Sequence, residues 1–248
     1  MPLSTTLALV AAALFAGIVD AIAGGGGLIT VPALLATGLP PHLALGTNKG
    51  QSVFGSGAAL AAFWRAGRVD RRQALYAFPL GLLGSACGAA LVSAISPAAL
   101  RPIVIGMLIG AAALLLIRKP ARADDAPDPH WGIAALLAFT IGAYDGFFGP
   151  GTGTFLIVGF VALCDRSLVH ASADAKVVNF ASNIAAVTVF SFHHAILWTV
   201  SLPMALGQLL GGIVGAHFAM RGGARVVRAM VLLVSGALIA KLVYDLVR

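Results

Sequence analysis

The sequence predicts an all-α polytopic membrane protein made of two homologous halves. Three observations carry that prediction. First, 59% of the 248 residues are hydrophobic and only 10% are charged, with a mean hydropathy of +0.96, whereas a soluble domain carries about a quarter charged residues. Second, apolar segments recur along the chain, at 3–36, 43–64, 73–95, 99–117, 131–163, 177–192, 196–220 and 226–244. A helix needs about 20 residues to cross a ~30 Å hydrocarbon core, so most of these can span. An outer-membrane barrel is excluded, because its strands alternate in hydrophobicity over only about 10 residues. Third, the chain repeats itself.

Gly17-Ile-Val-Asp20 followed by Gly24–Gly27 returns as Gly142-Ala-Tyr-Asp145 followed by Gly149-Pro-Gly-Thr-Gly153, displaced by 125 positions. Further on the displacement is 127, relating Lys49 to Lys176, Gly84 to Gly211, Gly88 to Gly215 and Arg101 to Arg228. A chain so poor in charge is not expected to match Asp, Lys and Arg in register by accident. The segment 118–130, with Lys119-Pro120 and the acids Asp124, Asp125 and Asp128, reads as a linker between a first transmembrane repeat (1–117) and a second (131–248). Other loops are short, so no soluble domain is expected to carry an active site.

The first segment resembles a secretory signal in its small residues near Ala23. It lacks a positive n-region, since no Lys or Arg precedes Lys49, and is expected to stay in the mature protein. Cys87 and Cys164 lie in apolar segments without metal-ligand or disulfide spacing. The net charge of +7 sits in short loops, which points to topology and anionic headgroups rather than to nucleic acid.

Each half opens with a stretch of awkward length. As straight helices, 3–36 and 131–163 would be about 50 Å long, too long for one span and too short for two. Glycines and Pro150 lie inside them, so each is expected to be two pieces joined by a break. A re-entrant V gives three crossings per half and inverted repeats; one tilted broken span gives four crossings and parallel repeats. In the re-entrant arrangement one side collects Arg65, Arg68, Arg71, Arg72, Arg118, Lys119, Arg122, Arg166, Arg221, Arg225 and Arg228, against Arg101, Lys241 and Arg248 on the other. The four-crossing arrangement divides them more evenly. The positive-inside rule therefore favours inverted repeats, with the Arg-rich loops and linker cytoplasmic and both termini periplasmic.

Non-helical backbone at membrane depth survives only inside protein or beside a water-filled cavity. The runs Gly24, Gly25, Gly26, Gly27 and Gly149, Gly151, Thr152, Gly153 thus point to a cavity, or to a packing break. The helices resuming near Leu28 and Thr154 would present free N–H groups and a positive dipole end to an anion. Intramembrane charges add to this, because they pair or line a pathway. Lys49 and Lys176, each expected where the next helix begins, are candidate counter-charges for an anion. Thr47, Asn48, Gln51, Ser52, Thr152, Thr154, Asn179 and Asn183 are candidate hydrogen-bonding groups. Asp20, Asp145 and Asp174 are candidates for proton uptake or ion pairing. The competing reading is a static Asp–Lys pair within each half, clamping the break to the helix that follows. His193 and His194 are adjacent, which does not suit a helical metal pair. Trp64, Trp131 and Trp198 sit near segment ends as interfacial anchors. No nucleophile motif is visible, so no catalytic residue, metal or cofactor is expected.

At Ala16–Pro32, Ala44-Leu-Gly-Thr-Asn-Lys49, Gly142–Phe155 and Ala173–Asn183, the chain resembles the TauE/SafE sulfite exporter family, also called TSUP. The resemblance covers both halves. It implies an inner-membrane permease for sulfite, sulfonates or related organosulfur compounds, with seven or eight transmembrane segments. The expected activity is secondary transport of a small anion bound between the two breaks, driven by its own gradient or by protons. The alternatives are an anion channel, an intramembrane enzyme using Asp20 and Asp145 as acid and base, or a non-transporting membrane subunit. The motifs specify neither the anion, nor its direction, nor an oligomeric state.

Overall fold

The computed structural model describes residues 1–96, 131–164 and 166–247; the expected span at 99–117 and the linker at 118–130 lie outside them. Every regular element among the described residues is helical. In chain order these are α1 (Leu3–Ala23), α2 (Gly27–Ala36), α3 (Pro41–Arg65) and α4 (Arg71–Ala94), then α5 (Trp131–Phe147), α6 (Thr152–Leu163), α7 (Leu168–Phe192) and α8 (Trp198–Val247). α1, α4, α7 and the Trp198–Met230 part of α8 are long and apolar enough to cross a membrane. The protein is an all-α polytopic membrane protein.

Both expected breaks exist. α1 ends on Gly24 in the left-handed region (φ 77°), and α2 is only 10 residues long. α5 ends at Phe147, and α6 starts after Gly151 (φ 86°). α7 corrects one boundary. The apolar run starts at 177, but the helix starts at Leu168, because its first turns carry His170, Ser172 and Asp174, the last two buried against other helices. Lys176 therefore lies inside a helix, not at its beginning, and so does Lys49 in α3. α8 joins the two expected segments at 196–220 and 226–244, and Gly223 (φ 57°, ψ −154°) breaks it between them.

Side-chain contacts show how each pair of pieces runs. The Arg72 guanidinium lies 5.3 Å from the Trp131 ring, and Arg166 pairs with Asp70. α5 thus starts, and α6 finishes, beside the first residues of α4: the two pieces double back. At the opposite end, Leu9, Leu34, Ala44, Val200 and Met204 form one apolar cluster, so α2 finishes beside the early turns of α1. α3 and α7 then run in opposite senses between the two ends. The tips of the two bends meet inside the protein. A Cβ on Gly24 would strike the Gly153 backbone, and one on Gly153 would strike Gly24; only glycine permits that approach.

Packing between the halves is exchanged. α1 lies mainly on α8, and α5 on α4. Gly84 on α4 abuts Phe139 and Ala143 of α5, and Gly211 on α8 abuts Leu14 and Ile18 of α1. Gly88 abuts Ala143, and Gly215 abuts Ile18. These contacts are related by the displacements of 127 and 125 read in the sequence. Small residues let membrane helices approach closely enough for dispersion to hold them, where no hydrophobic drive exists between helix and lipid.

Candidate functional site

The buried C-terminus of α1 needs partners for its last carbonyls, and the second half supplies them. Thr154 Oγ1 donates to the Ala23 carbonyl at 2.7 Å. Ser172 Oγ donates to Ile22 at 3.1 Å and to Ala21 at 3.3 Å. Lys176 Nζ donates to the Asp20 carbonyl. A lysine at a helix C-terminus also opposes the negative end of the dipole.

Each intramembrane lysine pairs with the aspartate of the other half. Lys176 Nζ lies 3.0 Å from Asp20 Oδ2, and Lys49 Nζ lies 2.7 Å from Asp145 Oδ1. The pairs are crossed, not internal to each half as the static reading supposes. Each lysine is eight residues into its helix, about 12 Å from the helix start at 1.5 Å per residue. Since α3 and α7 run oppositely, the two pairs lie at different depths. A buried pair of this kind must satisfy its remaining hydrogen-bonding groups. Lys49 also donates to Asn183 Oδ1 at 3.1 Å. Asp145 accepts from Thr152 Oγ1 at 2.8 Å and from Ser182.

The neutral candidates divide. Asn183 Nδ2 donates to Asn179 Oδ1 (2.9 Å) and to Ser56 Oγ (3.1 Å). Asn48 Oδ1 accepts from Thr30 Oγ1 (2.5 Å) and from Gln51 Nε2 (3.0 Å), and Gln51 Nε2 also reaches Ser52 Oγ (3.2 Å). Gln51 Oε1 is buried and has no hydrogen-bond donor among the described residues. Gly149 lies against the Lys49–Asp145 pair, and Gly26 donates its N–H to Asp20 Oδ1 at 3.3 Å. Gly27 abuts Pro150, whose carbonyl accepts from Tyr144 Oη. Gly25 accepts the Leu28 N–H and so starts the first turn of α2.

Two candidates lie elsewhere. Thr47 Oγ1 accepts the Leu197 N–H at 3.0 Å, at the end of the bundle where α8 starts. Asp174 is at the Arg-rich end, where Oδ1 accepts the Asp70 N–H at 2.9 Å and Oδ2 lies 3.6 Å from Arg166 Nε. Positions 47 and 174, and 70 and 197, are 127 apart, so these are one contact made twice, neutral at one end and ionic at the other. Arg166 also binds Gln73 Oε1 at 2.7 Å. Burial pushes the Asp70 carboxyl up, but Arg166 and the N–H groups of Gln73 and Arg72 outweigh it and hold the group below its ordinary 3.8.

Sequence reasoning passed over Thr30, Ser56, Ser172, Ser182, Tyr144 and the Arg166 network. One signal was present: Ser56 and Asn183 are 127 apart, so a two-fold arrangement brings them face to face. Among the described residues no group of His, Cys, Asp and Glu could hold a metal ion.

The family model described as "Sulfite exporter TauE/SafE" matches residues 9–242. The chain belongs to that family. Its relatives match most of the chain. A probable membrane transporter protein (ORF9) of Sinorhizobium sp is 43% identical, over 94% of this chain and 90% of its own. A probable membrane transporter protein of Haemophilus influenzae is 40% identical, over 93% and 91%. The probable membrane transporter protein YfcA of Escherichia coli K12 is 36% identical, over 94% and 87%. No solved structure matches the chain. This TauE/SafE protein is therefore a multi-pass membrane transporter and not an enzyme.

Proposed function

We propose that the protein is a secondary carrier for a small anion, sulfite or a sulfonate, bound between the two glycine breaks. The observation that carries this is the crossed pairing of Lys49 with Asp145 and Lys176 with Asp20 at the tips of two bent segments. Two lysine charges are held at membrane depth, each neutralised by a carboxylate that a proton or an entering anion can displace. Thr152 and Asn183 bond the Lys49–Asp145 pair directly, Asn179 bonds Asn183, and Thr30, Asn48, Gln51 and Ser52 form a second polar chain that Thr30 ties to the Gly26 carbonyl. The description of the family as sulfite exporters supports the cargo class.

The halves are inverted repeats in this reading, supported by the opposite directions of α3 and α7 and by bends that open toward opposite ends. Alternating access then rocks one repeat against the other around the site. The backbone contact between Gly24 and Gly153 is the barrier that this rocking must part to admit the anion between the breaks. The end bearing Arg65, Arg68, Arg71, Arg72 and Arg166 faces the cytoplasm, by the positive-inside rule, and the N-terminus faces the periplasm. A membrane potential negative inside favours anion export by about 2.3 kcal/mol per charge at 100 mV.

Radiolabelled sulfite flux in proteoliposomes, with and without an imposed pH gradient, tests this. Saturable flux that sulfonates compete for and carboxylates do not is expected. Flux no greater than in empty liposomes, from folded protein, would overturn the cargo.

A further inference from the structure

The two crossed pairs occupy equivalent places but are held unequally. The Asp145 side chain is 3% exposed, and among the described residues it has three side-chain donors in reach: Lys49 and Thr152 on Oδ1, Ser182 on Oδ2, the Thr152 and Ser182 hydroxyls also reaching the Gly149 and Asn179 carbonyls. The Asp20 side chain is 18% exposed. Among the described residues it holds one side-chain donor, Lys176 on Oδ2, and one backbone N–H, that of Gly26, at 3.3 Å on Oδ1. The difference is written in the sequence. At the displacement of 127, Ser182 corresponds to Gly55, and Thr152 belongs to the run that matches Gly24–Gly27. Both hydroxyls that clamp Asp145 therefore have glycine counterparts in the first half.

Resting on the carrier reading above, we propose that Asp20 is the working carboxylate, the one that leaves its lysine to admit the anion, and that Asp145 is a fixed anchor. Lys176 is suited to this because its ammonium has a second acceptor, the Asp20 backbone carbonyl. When the carboxylate leaves, the ammonium keeps its place and its three protons. A proton taken by Asp20 Oδ2 neutralises the carboxylate, and the Lys176 charge passes to the anion; one proton and one monoanion enter together. Gly26 leaves room for the movement, since a Cβ there would lie 2.8 Å from Asp20 Cβ.

Among the described residues, the surroundings of Asp20 hold few competing charges. α2 and α6 carry no titratable side chain. On α3, Lys49 is held by Asp145, and His42 and Arg65 lie at its two ends. On α7, besides Lys176, Asp174 is held by the Asp70 N–H and His170 by Ser167. On α8, His217 is exposed and bonds its own helix at Ile213, while Arg221, Arg225 and Arg228 lie further toward and beyond the Gly223 break. Asp145 lies at the tip of the facing bend, already paired.

The test uses the wild-type protein in proteoliposomes, treated with a hydrophobic carbodiimide and read by peptide mass spectrometry. Asp20 should be modified at least about tenfold faster than the protected Asp145, with sulfite flux lost in step with modification and sulfite slowing it. Equal labelling of the two would overturn the assignment, since a symmetric exchange exposes both. Asp20→Asn and Asp145→Asn supply a second readout: the former should abolish the response of sulfite flux to a pH gradient, the latter should lower the flux and keep the response. The reverse pattern would also overturn it. Labelling confined to Asp20 without any sulfite flux would support the assignment made here and overturn the cargo proposed above.

Discussion

Replacing Lys49 with methionine would strand the Asp145 carboxylate between two packed bends. The two groups are 2.7 Å apart and each is 3% exposed, so no bulk water replaces the ammonium. Removing one partner of a buried pair costs about 3–5 kcal/mol, because an uncompensated charge stays behind. Thr152 and Ser182 would continue to donate to Asp145, which places the expected loss at the lower end, about 3 kcal/mol. For a chain of this size each kcal/mol moves the midpoint by about 2–4 °C, so Lys49→Met should unfold roughly 6–12 °C below wild type in the same detergent. Adding Asp145→Asn removes the stranded charge and leaves an acceptor for Thr152. The double variant should regain most of the loss, since replacing a whole buried pair by neutral groups is close to neutral. Thermal unfolding followed by tryptophan fluorescence reads both. A single variant with the wild-type midpoint, or a double variant less stable than the single, would refute the claim that this crossed pair holds the second bend in place.

Three further outcomes are expected. Gly24→Ala places a methyl against Gly153 and Thr154 at a φ of +77°, adding about 1–3 kcal/mol of overpacking to about 1–2 kcal/mol of left-handed strain. Gly38→Ala, at φ +87° with nothing within 4 Å, should show only the strain, so equal midpoints for the two would count against the tip contact. In intact cells, a cysteine replacing Arg68 should be shielded from an impermeant thiol reagent, and free labelling there would reverse the assigned sidedness. The Asp70 carboxyl, held below 3.8 in the folded protein, contributes stability that is present above that value and lost as pH falls through the lower folded one. Midpoints measured between pH 6 and pH 3 should therefore fall less in Asp70→Asn than in wild type (the range brackets the ordinary carboxylate pKa), and parallel curves would remove Arg166 as the cause.

Much of the architecture was legible because membrane helices announce themselves locally. Hydropathy located the helices to within a few residues where lipid is the neighbour, as in α4, expected at 73–95 and found at Arg71–Ala94. It failed at the start of α7, where Ser172, Asp174 and Lys176 face protein rather than lipid and the apolar signal disappears. The breaks were legible because four adjacent glycines and a Gly-Pro-Gly run have few other uses in a membrane segment. The hydroxyl partners were not, since a serine such as Ser182 looks the same whether it bonds its own helix or a distant carboxylate.

The sequence by itself determined which charged residues adjoin the apolar segments, where the two glycine breaks fall, and that the two halves share a pattern, because each is a property of composition and spacing along the chain. Only the tertiary structure decided which aspartate meets which lysine. That choice depends on α1 packing on α8 and α5 on α4, which carries each bend into the opposite half. It also decided that Asp20 is open and Asp145 sealed, since the exposure of a carboxylate is set by the hydroxyls that distant segments bring to it.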